Sequence, residues 1–432
     1  MQPDANYLRS TFTEKGRGFN TTDKEARSVV RMGDEFMLER VSSMEGLRAL
    51  KQEWQQLENV CPDPYTYFQS YHWCVEWCEK FATFGAKEKS NVPQIYVLRK
   101  NAQMVMLWPL MRSQSRTKAT LLMPLSTPLS QYSNLLFDPS EFSAATGKQV
   151  LSEIKKQCGC DAITLNHLPQ SSMISKIVDR EGVCDNVDHV AQILDLRGFE
   201  NWDDYHNDLP RNQRKERNKR RNKIEKAGEI KYEILGASDE GYSALVQQCM
   251  EMKRKWLVMT GRNKGILFDP LAADFFKSIP KSGDDFTGSG PLVHSYSIDG
   301  EPVAMELGFY RNNHYYSYLG AINLDWQKYS PGKVQIEAAQ KWAKSNGFEN
   351  FDFLGDPSEY KKNWTNFSQP LECRYIPITL VGEVYCRIWK VNINPKLRYF
   401  YHNTGSGTRD FITKVMKVLR LESSKKPDGT DD

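Results

Sequence analysis

Hydrophobic and polar positions alternate with a period of two from Val303 to Tyr310. Val303, Met305, Leu307 and Phe309 share one face; Ala304, Glu306, Gly308 and Tyr310 share the other. This predicts a strand, and the runs Leu292–Ile298 and His314–Ala321 predict one on each side. Asp299-Gly300 and Arg311-Asn312-Asn313 supply the hairpin connections. One carboxylate between small residues marks a backbone that something must approach closely. The period then lengthens. Val334, Ala338 and Trp342 recur every four residues, with Ala339 and Ala343 beside them, which predicts a helix with one buried face. Ser330 is its expected cap, Pro331 opens its first turn and Gly347 follows its last. A fourth strand is expected at Phe351–Gly355. The start of this helix, reached from a strand through a loop, is where an anion would bind, because N–H groups point outward there and the helix dipole is positive.

Upstream, the same patterns predict a first α/β half. Residues 1–33 are polar and read as a flexible arm. A strand at Phe36–Val41 leads into a helix over Met44–Asn59, which Cys61-Pro62-Asp63-Pro64 breaks. The helix Ser70–Phe84 carries Trp73, Trp77 and Phe81 at four-residue intervals, a stripe read as core. Strands follow at Gln94–Arg99, Met104–Arg112, Thr120–Met123 and Asn134–Phe137. A helix at Lys148–Cys158 and a strand at Ala162–Asn166 close the half. The polar loop Pro124–Ser133 either lines a site or runs over the surface.

Between the halves, residues 211–227 place a cation on nearly every face of a helix without interleaved aromatics. A solvated helix, a nucleic-acid contact and capture of an anionic substrate all fit that pattern. A further helix is expected over Gly241–Met259. Near the C-terminus, residues 408–421 form a basic amphipathic helix that either docks on its own domain or touches a membrane surface or a partner.

Length and composition set bounds. A chain of 432 residues suggests two domains, and 26% charged residues with a net charge of +4 are ordinary and do not imply nucleic acid. The nine cysteines are scattered without zinc spacing, so reduced, buried thiols and no metal are expected. Neither a signal peptide nor a run long enough to span a bilayer is apparent, which points to the cytoplasm. A Ser-His-Asp order, a Gly-x-Ser-x-Gly elbow and a P-loop are all missing, which removes hydrolase and kinase readings.

The motifs Gly300 to Pro302, Tyr315 to Gly320, Ser330-Pro331-Gly332, Asp352 to Gly355 and Tyr360-Lys361-x-x-Trp364 stand in one order. In that order and spacing, the stretch 292–364 resembles the GNAT-type acyltransferase domain of the CelD/BcsL family. Phe68-Gln69-Ser70 with Trp73 and Trp77 is similar to that family's N-terminal opening. The resemblance implies a FemABX-like chain: α/β, two tandem GNAT-like domains, with mixed, mostly antiparallel sheets. The expected division is 34–200 for the first domain, 201–385 for the second with its basic helix, and 386–432 for a basic tail.

The implied chemistry is transfer of an acyl group from a thioester to an amine, which needs aligned reactants, a base and a polarised carbonyl. By resemblance, Tyr318, Leu319 and Gly320 supply strand backbone to the donor arm, and Ser330, Gly332, Lys333 and Val334 the phosphate end. Asp352 and Glu306 are candidate bases; Asp352 could instead partner a buried N–H or Lys361. Tyr329 and Tyr360 are candidate proton donors. Arg214, Arg217, Arg221, Lys253, Trp256, Lys361 and Trp364 are candidate substrate contacts. Lys328-Tyr329-Ser330-Pro331-Gly332 replaces the usual Gly-x-Gly loop, so the donor is acyl-CoA or acetyl-CoA, acyl carrier protein or aminoacyl-tRNA. The acceptor expected by resemblance is a small molecule or glycan precursor, with no DNA and with envelope or exopolysaccharide machinery as partner. A FemX-like transferase and a non-catalytic scaffold are the alternatives.

Overall fold

Residues 27–393 are described by a computed structural model, apart from 86, 87, 89, 116, 186, 263, 284, 285, 287 and 356–358. Most of the expected arm and the helix at 408–421 therefore lie outside the described residues. The strands are β1 (Arg27–Met32), β2 (Phe36–Val41), β3 (Val92–Lys100), β4 (Gln103–Gln114), β5 (Thr120–Pro124), β6 (Leu136–Phe137), β7 (Ala162–Pro169), β8 (Val183–Cys184), β9 (His189–Asp195), β10 (Ile230–Gly236), β11 (Ser289–Ile298), β12 (Glu301–Arg311), β13 (His314–Ile322), β14 (Asn350–Asp352) and β15 (Phe367–Pro377). β1 corrects the expected arm: its residues pair with β2 from Arg27 opposite Val41 to Met32 opposite Phe36.

All of these strands join one sheet, ordered β1-β2-β3-β4-β5-β7-β15-β9-β14-β13-β12-β11-β10, with β6 on β4 and β8 on β15. Its pairs are antiparallel except β5 with β7 and β13 with β14. The same plan thus appears twice: antiparallel hairpins lead to a strand, a helix follows, and the chain returns parallel to that strand. The helices in question are Ala144–Gln157 and Pro331–Ser345.

The halves exchange strands. β9 follows the first half in sequence but pairs with β14 of the second. β15 ends the second half but pairs with β7 of the first over Leu371–Pro377 and with β9 over Phe367–Leu371. The expected boundary at residue 200 falls just after β9, so the chain crosses the seam before it.

Local chemistry explains the hairpins. Asp299 and Gly300 both have positive φ, 48° and 79°, as do Asn312 and Asn313, at 48° and 60°. That pair of left-handed residues matches the right-handed twist of the flanking strands. The alternation of β12 is realised from Ala304 on, with Met305, Leu307 and Phe309 in the main core and Ala304 and Tyr310 on the other face. Val303, expected with the first set, is instead the extra residue of a bulge opposite Tyr296 and Ser297 and packs in the cluster of Ala304. The main core crosses the seam. Trp73, on the helix Tyr71–Phe81, meets Phe275 edge-on at 4.9 Å and Phe309 of β12 at 5.3 Å.

Candidate active site

The second parallel pair parts early. β13 pairs with β14 only from His314 to Tyr316, opposite Asn350 to Asp352. Beyond it, Asp352 Oδ1 accepts the Leu354 N–H at 2.7 Å and Leu354 adopts φ 63°, which ends the expected 351–355 strand at Asp352. β13 runs on to Ile322 through a bulge, because Gly308 faces Ser317 while Leu307 faces Leu319, leaving Tyr318 as the extra residue. Tyr318 donates its hydroxyl to the Leu129 carbonyl of the first half at 2.9 Å. The Gly320 carbonyl accepts Lys253 Nζ at 2.8 Å, and that ammonium lies 4.5 Å from the Trp256 ring centroid. Tyr318, Leu319, Gly320, Lys253 and Trp256 are therefore neighbours, although sequence reasoning gave them separate roles.

The β13 edge leads through the turn Leu324–Tyr329 to the helix Pro331–Ser345. Here the expected cap is corrected. Ser330 is left-handed, at φ 54°, and its side chain makes no capping hydrogen bond. Its carbonyl instead accepts the Lys333 and Val334 N–H groups at 3.0 and 3.4 Å. Pro331 has no N–H, so Gly332 supplies the first amide of the helix, with Lys333 exposed beside it. Val334 is buried against Ile224 and Ile322 and faces the interior, not an anion. The C-terminal end of the basic helix Arg211–Glu225 borders this place: Lys223 Nζ donates to the Lys328 carbonyl at 2.6 Å and lies 5.3 Å from the Tyr329 ring.

Asp352 organises the other end of the parting pair. It is fully buried, and its Oδ2 accepts the Tyr132 hydroxyl at 2.8 Å and His314 Nε2 at 3.1 Å. A carboxylate only accepts, so Nε2 carries a proton toward Asp352. Nδ1 is itself buried and has no hydrogen-bond partner among the described residues. Burial and the Asp352 charge push the Tyr132 phenol well above its usual range, so it stays a donor. His314 lines a cleft of about 420 Å³ between the halves, together with Asp63, Tyr65, Asp195, Arg197 and Gln369. Burial raises the carboxyl of Asp63 there.

The expected catalytic set is not one cluster. Glu306 is buried and accepts the Tyr315 and Ser317 hydroxyls at 2.7 and 2.8 Å, and burial raises its carboxyl. Tyr315 and Tyr316 point to opposite faces, so Glu306 and Asp352 lie on opposite sides of the sheet. The close approach expected at β12 is real but internal: a Cβ on Gly308 would come 1.9 Å from the Tyr315 hydroxyl. Tyr329 packs with Trp326 and Val334, and Tyr360 is 45% exposed; neither bonds to Asp352.

Several expected substrate contacts are engaged within the protein. Arg217 is buried, its guanidinium 4.2 Å over the Trp364 ring, with Nη2 bonded to the Asn363 carbonyl at 3.1 Å. Lys361 donates to the Phe353 carbonyl at 2.6 Å and is also buried. Arg221 lies 3.6 Å from Glu337, and Arg214 caps the Asn207 carbonyl at 2.6 Å. Arg217, over Trp364 and on the Asn363 carbonyl, therefore holds the basic helix to the domain, while Lys361 ties its own turn to the Phe353 carbonyl. The residue that sequence reasoning passed over is His314. Its signal was register: it lies two positions before Tyr316, the partner of Asp352.

Comparisons with known proteins bear on the fold and on its second half. Residues 211–362 match the family described as Acetyltransferase (GNAT) domain. No curated protein matches the chain in sequence. Among solved structures, FemX is similar at a TM-score of 0.51 and 12% identity, covering 78% of this chain and 98% of FemX. The C-terminal DUF2156 domain of a protein assigned as a lysylphosphatidylglycerol synthetase from Agrobacterium fabrum is similar at 0.50 and 10%, covering 78% of this chain and 95% of that one. These likenesses concern the fold.

Proposed function

We propose, from the GNAT acetyltransferase domain at residues 211–362, that this acyltransferase moves an acyl group from acyl-CoA to an amino group on a sugar, sugar nucleotide or similar glycan precursor. A CelD/BcsL-like enzyme of polysaccharide or cell-envelope biosynthesis, working in the cytoplasm, is the finer form of this reading. One observation carries it: the parted pair β13/β14, whose open edge runs from the His314–Asp352 pair to the bare helix start at Gly332.

In this reading the donor arm lies along Tyr318–Gly320, where strand N–H groups polarise the thioester carbonyl. Its phosphates meet Gly332, Lys333 and Lys223. The acceptor enters the cleft at His314. As the amine adds to the carbonyl carbon, Nδ1 takes its proton and Asp352 stabilises the imidazolium. The C–S bond then breaks and the thiolate leaves with that proton. Asp63 and Asp195 would attract the hydroxyl and amino groups of an acceptor.

The basic helix favours a second reading, a FemX-like transfer from aminoacyl-tRNA. Lys215 and Lys219 on it are exposed. A longer polyanion could neutralise more of the helix than one CoA can.

Calorimetric titration with acetyl-CoA, longer acyl-CoAs and CoA tests the donor. Lys333→Glu is the companion variant, because Lys333 is exposed, whereas a side chain at Gly332 would meet Ile322 at 2.8 Å. Saturable binding that weakens about tenfold in Lys333→Glu is expected, as reversing one charge at a helix start acts twice. No binding of any CoA species, with binding of charged tRNA, would replace the first reading by the second. No donor binding at all would favour a non-catalytic scaffold.

A further inference from the structure

We propose that His167, His189 and Cys373 bind a zinc-class divalent cation at the seam where the halves exchange strands. The inference is independent of the acyl donor and acceptor. The three residues lie on β7, β9 and β15, which are adjacent in the sheet in the order β7-β15-β9. Their ligand atoms all lie within 4.8 Å of one another. A tetrahedral ion with bonds of about 2.0–2.3 Å sets its ligands roughly 3.3–3.8 Å apart, so modest side-chain motion closes the site. Sequence spacing could not show this, because the three residues come from distant parts of the chain.

The backbone is shaped for the cluster. Glu372 faces Leu168 and Arg374 faces Leu165, so Asn166 and His167 together oppose Cys373 across a bulge. A bulge re-aims a side chain that strict alternation would turn away. His167 itself is left-handed, at φ 53°, a conformation rare for residues other than glycine. Room for its ring comes from Gly355, where a Cβ would lie 2.9 Å from His167 Nδ1.

Each imidazole is also held from behind. His167 Nδ1 lies 3.1 Å from the Gln131 carbonyl, which fixes the proton there and leaves Nε2 free to ligate. His189 Nε2 lies 2.9 Å from Asp185 Oδ2, which leaves Nδ1 to the side of Cys373, with which the ring shares a hydrogen bond in the absence of an ion. Asp185 is in turn placed by its N–H on the Cys373 carbonyl at 3.3 Å and by the Tyr375 hydroxyl at 3.4 Å. Carbonyl–imidazole and carboxylate–imidazole supports of this kind orient metal ligands. Two imidazole nitrogens and one sulfur suit zinc rather than magnesium or calcium, which need oxygen. On binding, Cys373 releases its proton to solvent and ligates as thiolate, and water completes the fourth position. His189 keeps 19% side-chain exposure, which gives the ion a way in.

Such an ion would pin strands from both halves. The rival is a metal-free row of Cys373, His189 and Asp185 joined by hydrogen bonds. To separate them, untagged full-length protein is stripped with chelator and titrated with cobalt(II), read by its visible bands and by thiolate-to-cobalt charge transfer in the near ultraviolet. About one equivalent is expected, with tetrahedral intensity and charge transfer. Cys373→Ser should lose the charge transfer, and His167→Gln should weaken binding at least tenfold. Circular dichroism checks that each variant is folded; if Cys373→Ser does not fold, His167→Gln and the native spectrum still decide. Absence of saturable binding, or spectra unchanged in both folded variants, would overturn the proposal.

Discussion

The two parallel pairs follow one plan and end differently. In the first half, β5 and β7 pair only at Leu121–Ala162 and Leu122–Ile163. Past that point the chain rejoins its own edges: Ser133 N–H reaches the His167 carbonyl at 3.4 Å, and the Gln131 carbonyl meets the His167 ring. The following helix starts on Ser143, whose hydroxyl accepts the Thr146 N–H at 3.1 Å. In the second half the edge of β13 beyond Tyr316 pairs with no strand across the gap, and the helix starts on a left-handed Ser330 whose hydroxyl caps nothing. Closure in one half and an open, uncapped start in the other are the contrast on which the proposed donor slot rests. In that proposal the second half offers the slot, while the first supplies a wall through Tyr132 and Leu129.

The largest expected effect follows from His314. His314→Gln keeps the size of the ring but removes the base, so turnover should fall about 10²–10⁴-fold. Thiol release from acetyl-CoA with amino sugars reads this, and calorimetry should find CoA affinity within about twofold of the native value, since the base is remote from the phosphates. Full activity in the variant would remove the base from the second half and erase the functional contrast.

Asp352 comes next. Asp352→Ala leaves the Leu354 N–H, the Tyr132 hydroxyl and His314 Nε2 without their acceptor inside the core, a loss of about 3–5 kcal/mol. Asp352→Asn keeps an acceptor and should cost less stability while still misplacing the His314 proton. Urea unfolding of the two variants separates the structural from the chemical role. Equal stabilities would mean that Asp352 does not join the two halves.

Much of the fold was legible because hairpins are local. Asp299-Gly300 and Asn312-Asn313 announce their turns, and the change of period after β13 announces the helix. Acyltransferase chemistry was legible through motif order. The strand exchange was not, since β9 and β15 pair with residues that are remote in sequence, and no local pattern records a long-range partner. The candidate site was half legible for the same reason. Asp352 was expected, but Tyr132 stands 220 residues away from it and His314 reads as one more polar residue in a strand. Arg217 and Lys361 misled because cations in a polar run look solvated, whereas tertiary packing put one on Trp364 and the other on a buried carbonyl.

The core beneath the open half carries titratable groups, which gives the contrast a pH signature. His294 is fully buried among Tyr232, Tyr315 and Trp342, and burial lowers its imidazole to about 3. The unfolded chain binds a proton near pH 6.5 that the folded chain refuses, so this contribution is complete above pH 6.5 and is lost as the pH falls toward 3. The loss is about 2 kcal/mol at pH 5. His294→Phe should lose less stability between pH 7 and pH 5 than the native chain does, by about that amount, in paired urea titrations. Equal losses would show that the ring can be charged in place.

The smallest effect isolates the two helix starts. Ser143→Ala removes a hydroxyl that accepts the Thr146 N–H, so it should cost about 0.5–2 kcal/mol. Ser330→Ala removes a hydroxyl that accepts nothing from its helix, and should cost less than about 0.5 kcal/mol. Adding acetyl-CoA should then stabilise both variants equally, because neither hydroxyl is asked to hold the donor. A large loss in Ser330→Ala without ligand would mean that its hydroxyl caps the helix after all, and the second start would be closed like the first. A loss that appears only with acetyl-CoA would instead add the Ser330 hydroxyl to the phosphate end of the slot.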